Sequence, residues 1–344
     1  MRWTAVIIFL VSLSATTQAQ DQKQWDKVLS FYARGKVYPG IRKCDHMMVV
    51  KPPQKEFLIL RAEGNNKIGE YDRAKNDARE AYGLFEGELR RLAALQLGIS
   101  MLGVGAPDSA RTWLERSLGS SKDAEAWYRL GLLEKAKKDH NAAIAYFDKV
   151  LAIEPSNALV LSERGGSYAL MGDTVMAKES LDKALELEPR NAVLWNARGY
   201  FLHASSGHFA KAIADYDRAI KLDPNYSYAF NNRGWAYYKL GNRDKALKNI
   251  NLAAKKSRTN PFVYRNLGVI ALESGDTTRA CGHFHTALSL QFTAFHGPEV
   301  RELLNANCDR GMPDPPVTPD PDNGNAPVIP ETPRTNAPTR SNAP

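Results

Sequence analysis

The stretch that decides the fold is Ala124 to Asn157, AEAWYRLGLLEKAKKDHNAAIAYFDKVLAIEPSN. It predicts two amphipathic helices joined by a short polar turn. Large apolar residues stand at Trp127, Leu130, Phe147 and Leu151, and small ones at Gly131 and Ala143, where two helices would approach closely. Pro155 closes the unit, because proline lacks the amide donor of a helix interior and restricts the residue before it. One such pair cannot bury its own apolar face, so the pattern has to continue on either side.

It does, in steps of about 34 residues. Ala158 to Asn191 carries Gly165, Tyr168, Gly172, Ala177, Ala184 and Pro189 at equivalent places. Ala192 to Tyr226 carries Trp195, Gly199, Gly207, Ala212, Tyr216, Ala219 and Pro224, with one extra residue expected in the turn near Ser205 and Ser206. Ser227 to Asn260 keeps Phe230, Gly234, Tyr237, Gly241, Ala246 and Ala253, with Arg258 in place of the closing proline. Pro261 to about Ala294 keeps Tyr264, Leu267, Gly268, Gly275, Ala280, Phe284 and Ala287. Upstream the pattern thins. Arg91 to Asp123 retains Leu97, Gly98, Gly105, Ala110 and Leu114, and Lys55 to Arg90 retains Leu58, Ala62, Gly69, Tyr71, Ala74 and Ala81. Asp21 to Gln54 keeps only Gly35, Ile41, Met48 and Pro52.

The unit resembles the tetratricopeptide repeat, a helix-turn-helix of this length. The resemblance implies an all-α, right-handed α-solenoid of eight repeats with a concave groove. The expected organisation is a signal peptide at 1–19, a degenerate repeat or cap at 20–54, and the repeat array at 55–294. A C-terminal capping helix at 295–308, read from PEVRELLNAN (298–307), and a disordered Pro/Asn-rich tail at 309–344 complete it. Gly172, Gly207, Gly241 and Gly275 stand where a left-handed residue would end each first helix. Asn157 and Asn191 are placed to cap the helices that follow.

Comparing the repeats with one another yields a second pattern. Position seven is arginine in four of them, Arg61, Arg164, Arg198 and Arg233, and position 23 is then Asp77, Ser180, Asp215 or Asn249. Where position seven is Leu97, Leu130 or Leu267, position 23 is Trp113, Tyr146 or His283. A guanidinium held between helices needs an acceptor, whereas leucine leaves room for a ring. Each arginine is therefore expected to bond its position-23 partner.

The N-terminus has the order of a secretory signal: Arg2, an apolar AVIIFLV core from Ala5 to Val11, then Thr17-Gln18-Ala19, with cleavage expected after Ala19. The apolar run is shorter than the ~20 residues a membrane span needs. Export to the periplasm or beyond is expected, with no membrane insertion after cleavage. From Pro313 to Pro344 the tail holds almost no large apolar residue, and Asn-Ala-Pro recurs at Asn325, Asn336 and Asn342. That composition suits a solvated, polyproline-II-biased spacer or a docking peptide. The formal charge of +8 is spread along helical faces with acids interspersed, and no basic stripe with interleaved aromatics speaks for nucleic acid.

No metalloprotease histidine pair, phosphate-binding glycine loop or nucleophile elbow is present, so no enzymatic activity or cofactor is expected. Gly165-Gly166 reads as a packing pair. An exported protein meets an oxidising compartment, and the capping helix must lie on the last repeat, so a Cys281–Cys308 disulfide is expected. Loop entropy values it at about 3 kcal/mol. Cys44 is left as a small core residue. A zinc site from Cys281, His285, His296 and Cys308 is the sharper, weaker alternative.

The family resemblance puts ligand contacts on the first helix of each unit. Carried over, those positions give Asn196, Tyr200 and His203, then Tyr228, Asn231, Trp235 and Tyr238, then Phe262, Arg265 and Val269, with Asn232 and Asn266 alongside. The preceding repeat offers only Leu159, Ser162, Gly166 and Ala169 there. Amides can pair with a peptide backbone and rings supply contact area, so a protein or peptide ligand is expected in the C-terminal half of the groove. The lysines of the family's carboxylate-clamp version are absent. Two other readings compete: an envelope component using its convex face and tail, and a zinc- or thiol-dependent protein centred on Cys281 and His285.

Overall fold

The computed structural model describes residues 15–50, 53–119, 123–290, 292 and 297–308, with side chains from residue 22 onward. The apolar segment Ala5–Val11, Pro52, His296 and the tail after Cys308 lie outside the described residues. The fold is all-α, with no strand among the described residues. It divides into two compact units, residues 15–133 and 134–308, with the boundary inside α7.

The first unit holds α1 (Ala15–Ala33), α2 (Val37–Val49), α3 (Phe57–Lys67), α4 (Tyr71–Leu84), α5 (Gly87–Gly103) and α6 (Pro107–Ser117), and α7 (Ala124–Ala136) begins in it. Its largest core cluster joins Trp25, Val28, Tyr32, Cys44, Met47, Phe57, Leu58 and Leu60. Tyr32 fixes the packing of three helices. Its ring occupies space that a side chain at Gly40 or Gly64 would fill, and its hydroxyl donates to the Leu60 carbonyl at 2.8 Å. Cys44 is fully buried beside that hydroxyl, and burial pushes its thiol up to about 12. It is a core residue, not a reactive one.

The second unit contains α8 (His140–Ile153), α9 (Ala158–Leu170), α10 (Thr174–Leu187), α11 (Ala192–Arg198) and α12 (Phe209–Leu222). It continues with α13 (Ser227–Lys239), α14 (Arg243–Lys256), α15 (Pro261–Leu272), α16 (Thr277–Ser289) and the single helix α17 (Glu299–Asn307). Within each pair from α9 onward, a glycine of the first helix meets a large side chain of the second. A Cβ at Gly165, Gly199, Gly234 or Gly268 would lie 2.8, 2.7, 2.7 or 2.4 Å from Leu181, Tyr216, Ile250 or Phe284. Gly172, Gly207, Gly241 and Gly275 adopt φ of 85°, 74°, 77° and 78°, as the turn pattern requires. The α7–α8 turn has no glycine and places Lys138 there at φ 65°, the one non-glycine residue with positive φ among those described. Asn157 and Asn191 cap α9 and α11 by accepting from the Val160 and Val193 amides.

The arginine rule holds at three of its four positions. Arg61 and Arg198 each fork onto an aspartate of their own second helix, at 2.8 and 2.6 Å for Asp77 and 2.9 and 2.7 Å for Asp215. Arg233 donates to Asn249 at 2.8 Å. Arg164 does not reach Ser180: the serine hydroxyl is too short, and both it and Arg164 Nε lack a hydrogen-bond partner among the described residues. The guanidinium Nη1 reaches back to the preceding repeat in all four cases. It meets Asp45, Asp148, Asp182 or Asp217 at 2.7, 2.9, 2.9 and 2.5 Å. The arginines therefore stitch successive repeats together as well as bracing their own.

At the C-terminal end, Val300, Leu303 and Leu304 of α17 pack with Ala280, Phe284 and Phe292. Cys281 and Cys308 form the expected disulfide, with Cα atoms 5.9 Å apart and a sequence separation of 27.

Candidate binding wall on the first helices of residues 192–272

Helices α9, α11, α13 and α15 lie side by side in a row, each touching the next. A line of amides binds part of that row. Asn266 donates to Asn231 at 3.0 Å, Asn231 to Asn232 at 3.3 Å, and Asn232 to Asn196 at 3.0 Å. Arg265 feeds one end by donating to the Asn266 carbonyl at 2.8 Å, and Tyr226 pairs with Asn196 at the other. Burial pushes the Tyr226 hydroxyl upward, so it stays protonated.

This ladder corrects the expected role of the asparagines. Asn231 and Asn266 are only 2% and 4% exposed, and their amides serve the neighbouring helices. Asn196 and Asn232 are half-buried in the same ladder. Buried amides need partners, and here the adjacent repeat supplies them. What the wall presents outward is aromatic.

Tyr200 is 48% exposed and Tyr228 is 37% exposed, the two most open rings of the row. Tyr228 meets Phe262 of the next first helix edge-on at 6.3 Å, and Phe262 meets Phe292 at 5.3 Å. Trp235 stacks on Tyr238 at 5.0 Å, with the Arg265 guanidinium 4.6 Å and the Lys239 ammonium 5.2 Å from its ring centre. Arg265 is paired with Glu299 of α17, and the Tyr238 hydroxyl bonds Glu273. The cation most exposed on this patch is Lys239.

Tyr200 owes its position to a local irregularity. The extra residue of repeat 192–226, expected in the turn, is taken up inside the first helix as a π-helical segment, Gly199–Ala204. There the Ser205 amide reaches the Tyr200 carbonyl, five residues back. One inserted residue is what a π turn absorbs, and such turns re-aim side chains. The segment swings Phe201 over Gly166, where a Cβ would lie 3.0 Å from the ring. Lys135, ion-paired with Glu163 at 2.6 Å, sits 4.7 Å from the same ring. The wall is thus not bare at Gly166, as the repeat-by-repeat reading implied. His203 lies 3.6 Å from Asp215 and is held neutral chiefly by burial.

Cys281 is engaged in the disulfide, and among the described residues no group of three metal-binding side chains converges. No described helix is long and apolar enough to cross a membrane.

Models of the tetratricopeptide repeat match residues 124–157, 160–191 and 227–256, and a further model of the same repeat matches 202–241. No curated protein sequence matches the chain. Among solved structures it is similar to the Cut9–Hcn1 hetero-tetramer of the APC/C, with 18% identity and a TM-score of 0.60. That match covers 86% of this chain, which spans 57% of that one. It is also similar to a tetratricopeptide repeat protein from Parabacteroides merdae, with 19% identity and a TM-score of 0.62, covering 74% of this chain and 99% of that one. At these identities the likeness is one of fold.

Proposed function

From a chain built of tetratricopeptide repeats, we propose a non-enzymatic scaffold that binds an extended segment of a partner protein along the first-helix wall of residues 192–272. The observation that carries this reading is the pairing of the buried amide ladder with the outward rings of Tyr200, Tyr228, Trp235, Tyr238 and Phe262. The ladder holds neighbouring first helices in register, so the rings present contact area without further ordering cost. We also propose that the protein acts outside the cytoplasm. The Cys281–Cys308 disulfide supports this, being of the kind that persists in oxidising compartments, as does the signal-like N-terminal sequence.

The test is capture from an array of extended peptides by the full chain and by Tyr228→Ala and Tyr200→Ala. Both residues are exposed enough that truncation leaves the core intact. Each is expected to weaken capture about tenfold, the loss of one ring contact. Equal capture by all three proteins refutes the wall as the binding surface.

A further inference from the structure

Repeat Ser227–Asn260 holds eight Lys or Arg residues against one acid, Asp244, a formal charge of +7. That is nearly the whole of the chain's +8, so the charge is concentrated in one repeat and not spread along the array. Six of these cations lie on α14 and the residues that leave it: Arg243, Lys245, Lys248, Lys255, Lys256 and Arg258. All six are exposed. Ala246, Asn249, Ile250 and Ala253 form the buried side of the helix, which leaves the cations on the sides facing water. From Lys245 to Lys256 they extend over about 16 Å. Lys256 donates to Asn225 at 2.9 Å, which brings the end of α14 beside the end of α12, where Lys221 is also exposed.

Folding does not account for this patch. Of the repeat's eight cations only Arg233 pairs with a carboxylate, Asp217, among the described residues. Arg243 donates to the Ile270 carbonyl and Lys245 lies over the Tyr237 ring, neither of which neutralises charge. Cations in a last turn complement the helix dipole, which covers Lys255 and Lys256. Arg243 and Lys245 stand in the first turn, where the dipole disfavours them. Elsewhere exposed lysines are compensated within their own helices, as in Lys67–Glu63, Lys178–Asp182 and Lys183–Glu186.

From this uncompensated charge we infer that the outer face of α14 is a docking surface for an anionic phospholipid membrane, to which the protein adsorbs without inserting. The kind of partner follows from what the face lacks. α14 carries no ring, and no large apolar side chain on it is exposed. Protein partners draw most of their affinity from a few buried aromatic or apolar anchors, and this face has none to offer. Stacking platforms for single-stranded nucleic acid are missing for the same reason. A charged bilayer surface needs neither. Each Lys or Arg near it raises affinity about fivefold, and flexible lysines suit headgroups that hold no fixed positions. None of the six cations belongs to the first-helix wall, so the inference does not depend on peptide binding there.

The experiment sediments the full chain with vesicles of phosphatidylcholine mixed with phosphatidylglycerol, and with vesicles of phosphatidylcholine alone. Binding to the mixed vesicles only, weakened by added salt, is expected. The triple variant Lys248→Gln, Lys255→Gln, Arg258→Gln should bind them about a hundredfold more weakly. The control variant Lys67→Gln, Lys178→Gln, Lys183→Gln loses the same net charge and should bind nearly as the parent does. Circular dichroism of all three proteins establishes that each is folded. No binding to the mixed vesicles, or no greater loss in the α14 variant than in the control, overturns the inference. Tighter binding to polyglutamate or to duplex DNA at matched charge concentration overturns the lipid assignment.

Discussion

Replacing Arg198 by leucine should destabilise repeat 192–226 far more than the same change at Arg233 destabilises the next one. Arg198 is 22% exposed and its partner Asp215 only 6% by side chain. Leucine removes both bonds to Asp215 and the bond to Asp182, and strands a buried carboxylate. Breaking a buried pair by removing one partner costs about 3–5 kcal/mol. Water entering the vacated space puts the expected loss at the low end, about 3 kcal/mol. Arg233 faces a neutral amide, and Asn249 retains its bond to the Lys245 carbonyl at 2.8 Å. Its loss should cost about 1 kcal/mol. The decisive variant is the double one. Adding Asp215→Ala to Arg198→Leu removes the stranded charge and should recover about 1–2 kcal/mol, although Asp215→Ala alone is destabilising. Repeat arrays need not unfold in one step, so hydrogen exchange of the α11 and α12 amides is the appropriate readout. If the second substitution adds to the damage, the charge-stranding argument is wrong.

Lys138→Gly should stabilise the α7–α8 turn by about 1 kcal/mol, because it removes a left-handed conformation from a residue with a Cβ; a rise in urea midpoint at unchanged slope checks it. Cys281→Ser, or reduction of the wild type, should cost about 3 kcal/mol at the C-terminal end, seen as faster exchange in α16 and α17 ahead of α13. His203 titrates below its ordinary value, chiefly through burial, so its contribution to stability is complete above the unfolded pKa of about 6.5 and is lost as pH falls through the lower folded value. In Arg198→Leu the guanidinium that repels its proton is gone while Asp215 remains, so the His203 proton titration followed by NMR should move upward.

The fold was legible because most repeats write the same local rules. A glycine for the left-handed turn, an asparagine cap and a small residue at the close approach are all decided within a single unit. The disulfide was legible for a related reason, since a capping helix has one place to go. What lay beyond reading one repeat at a time was the contact between repeats. The aspartate sixteen residues before each arginine recurs at Asp45, Asp148, Asp182 and Asp217, yet it belongs to the preceding unit. The leucine repeats have Ala81, Leu114 and Asn251 there instead, so the signal was in the sequence and required comparison across the boundary. The amide ladder is harder. Asn231 and Asn266 look like ligand contacts until it is known that adjacent first helices bring them to 3.0 Å. An extra residue near Ser205 fits a turn or a π segment equally well by sequence, and only the packing of Phe201 on Gly166 separates the two.

Taken together, the arginine stitches and the amide ladder explain why the wall can work as a rigid surface over residues 192–272 and what its weak point is. The repeats starting at Ala192 and Ser227 are each tied to the one before through Asp182–Arg198 and Asp217–Arg233. The stitch is missing at α15, where position seven is Leu267, and the ladder ends there, since among the described residues no further first helix follows. There the Arg265–Glu299 pair and the Phe262–Phe292 contact replace them, and both depend on α17 being held in place by the Cys281–Cys308 bond. Reducing that bond should therefore loosen the Arg265 end of the wall while leaving Tyr200 and Phe201 in position. Peptides anchored mainly on Trp235 and Phe262 would lose affinity first, and those anchored on Tyr200 would be spared.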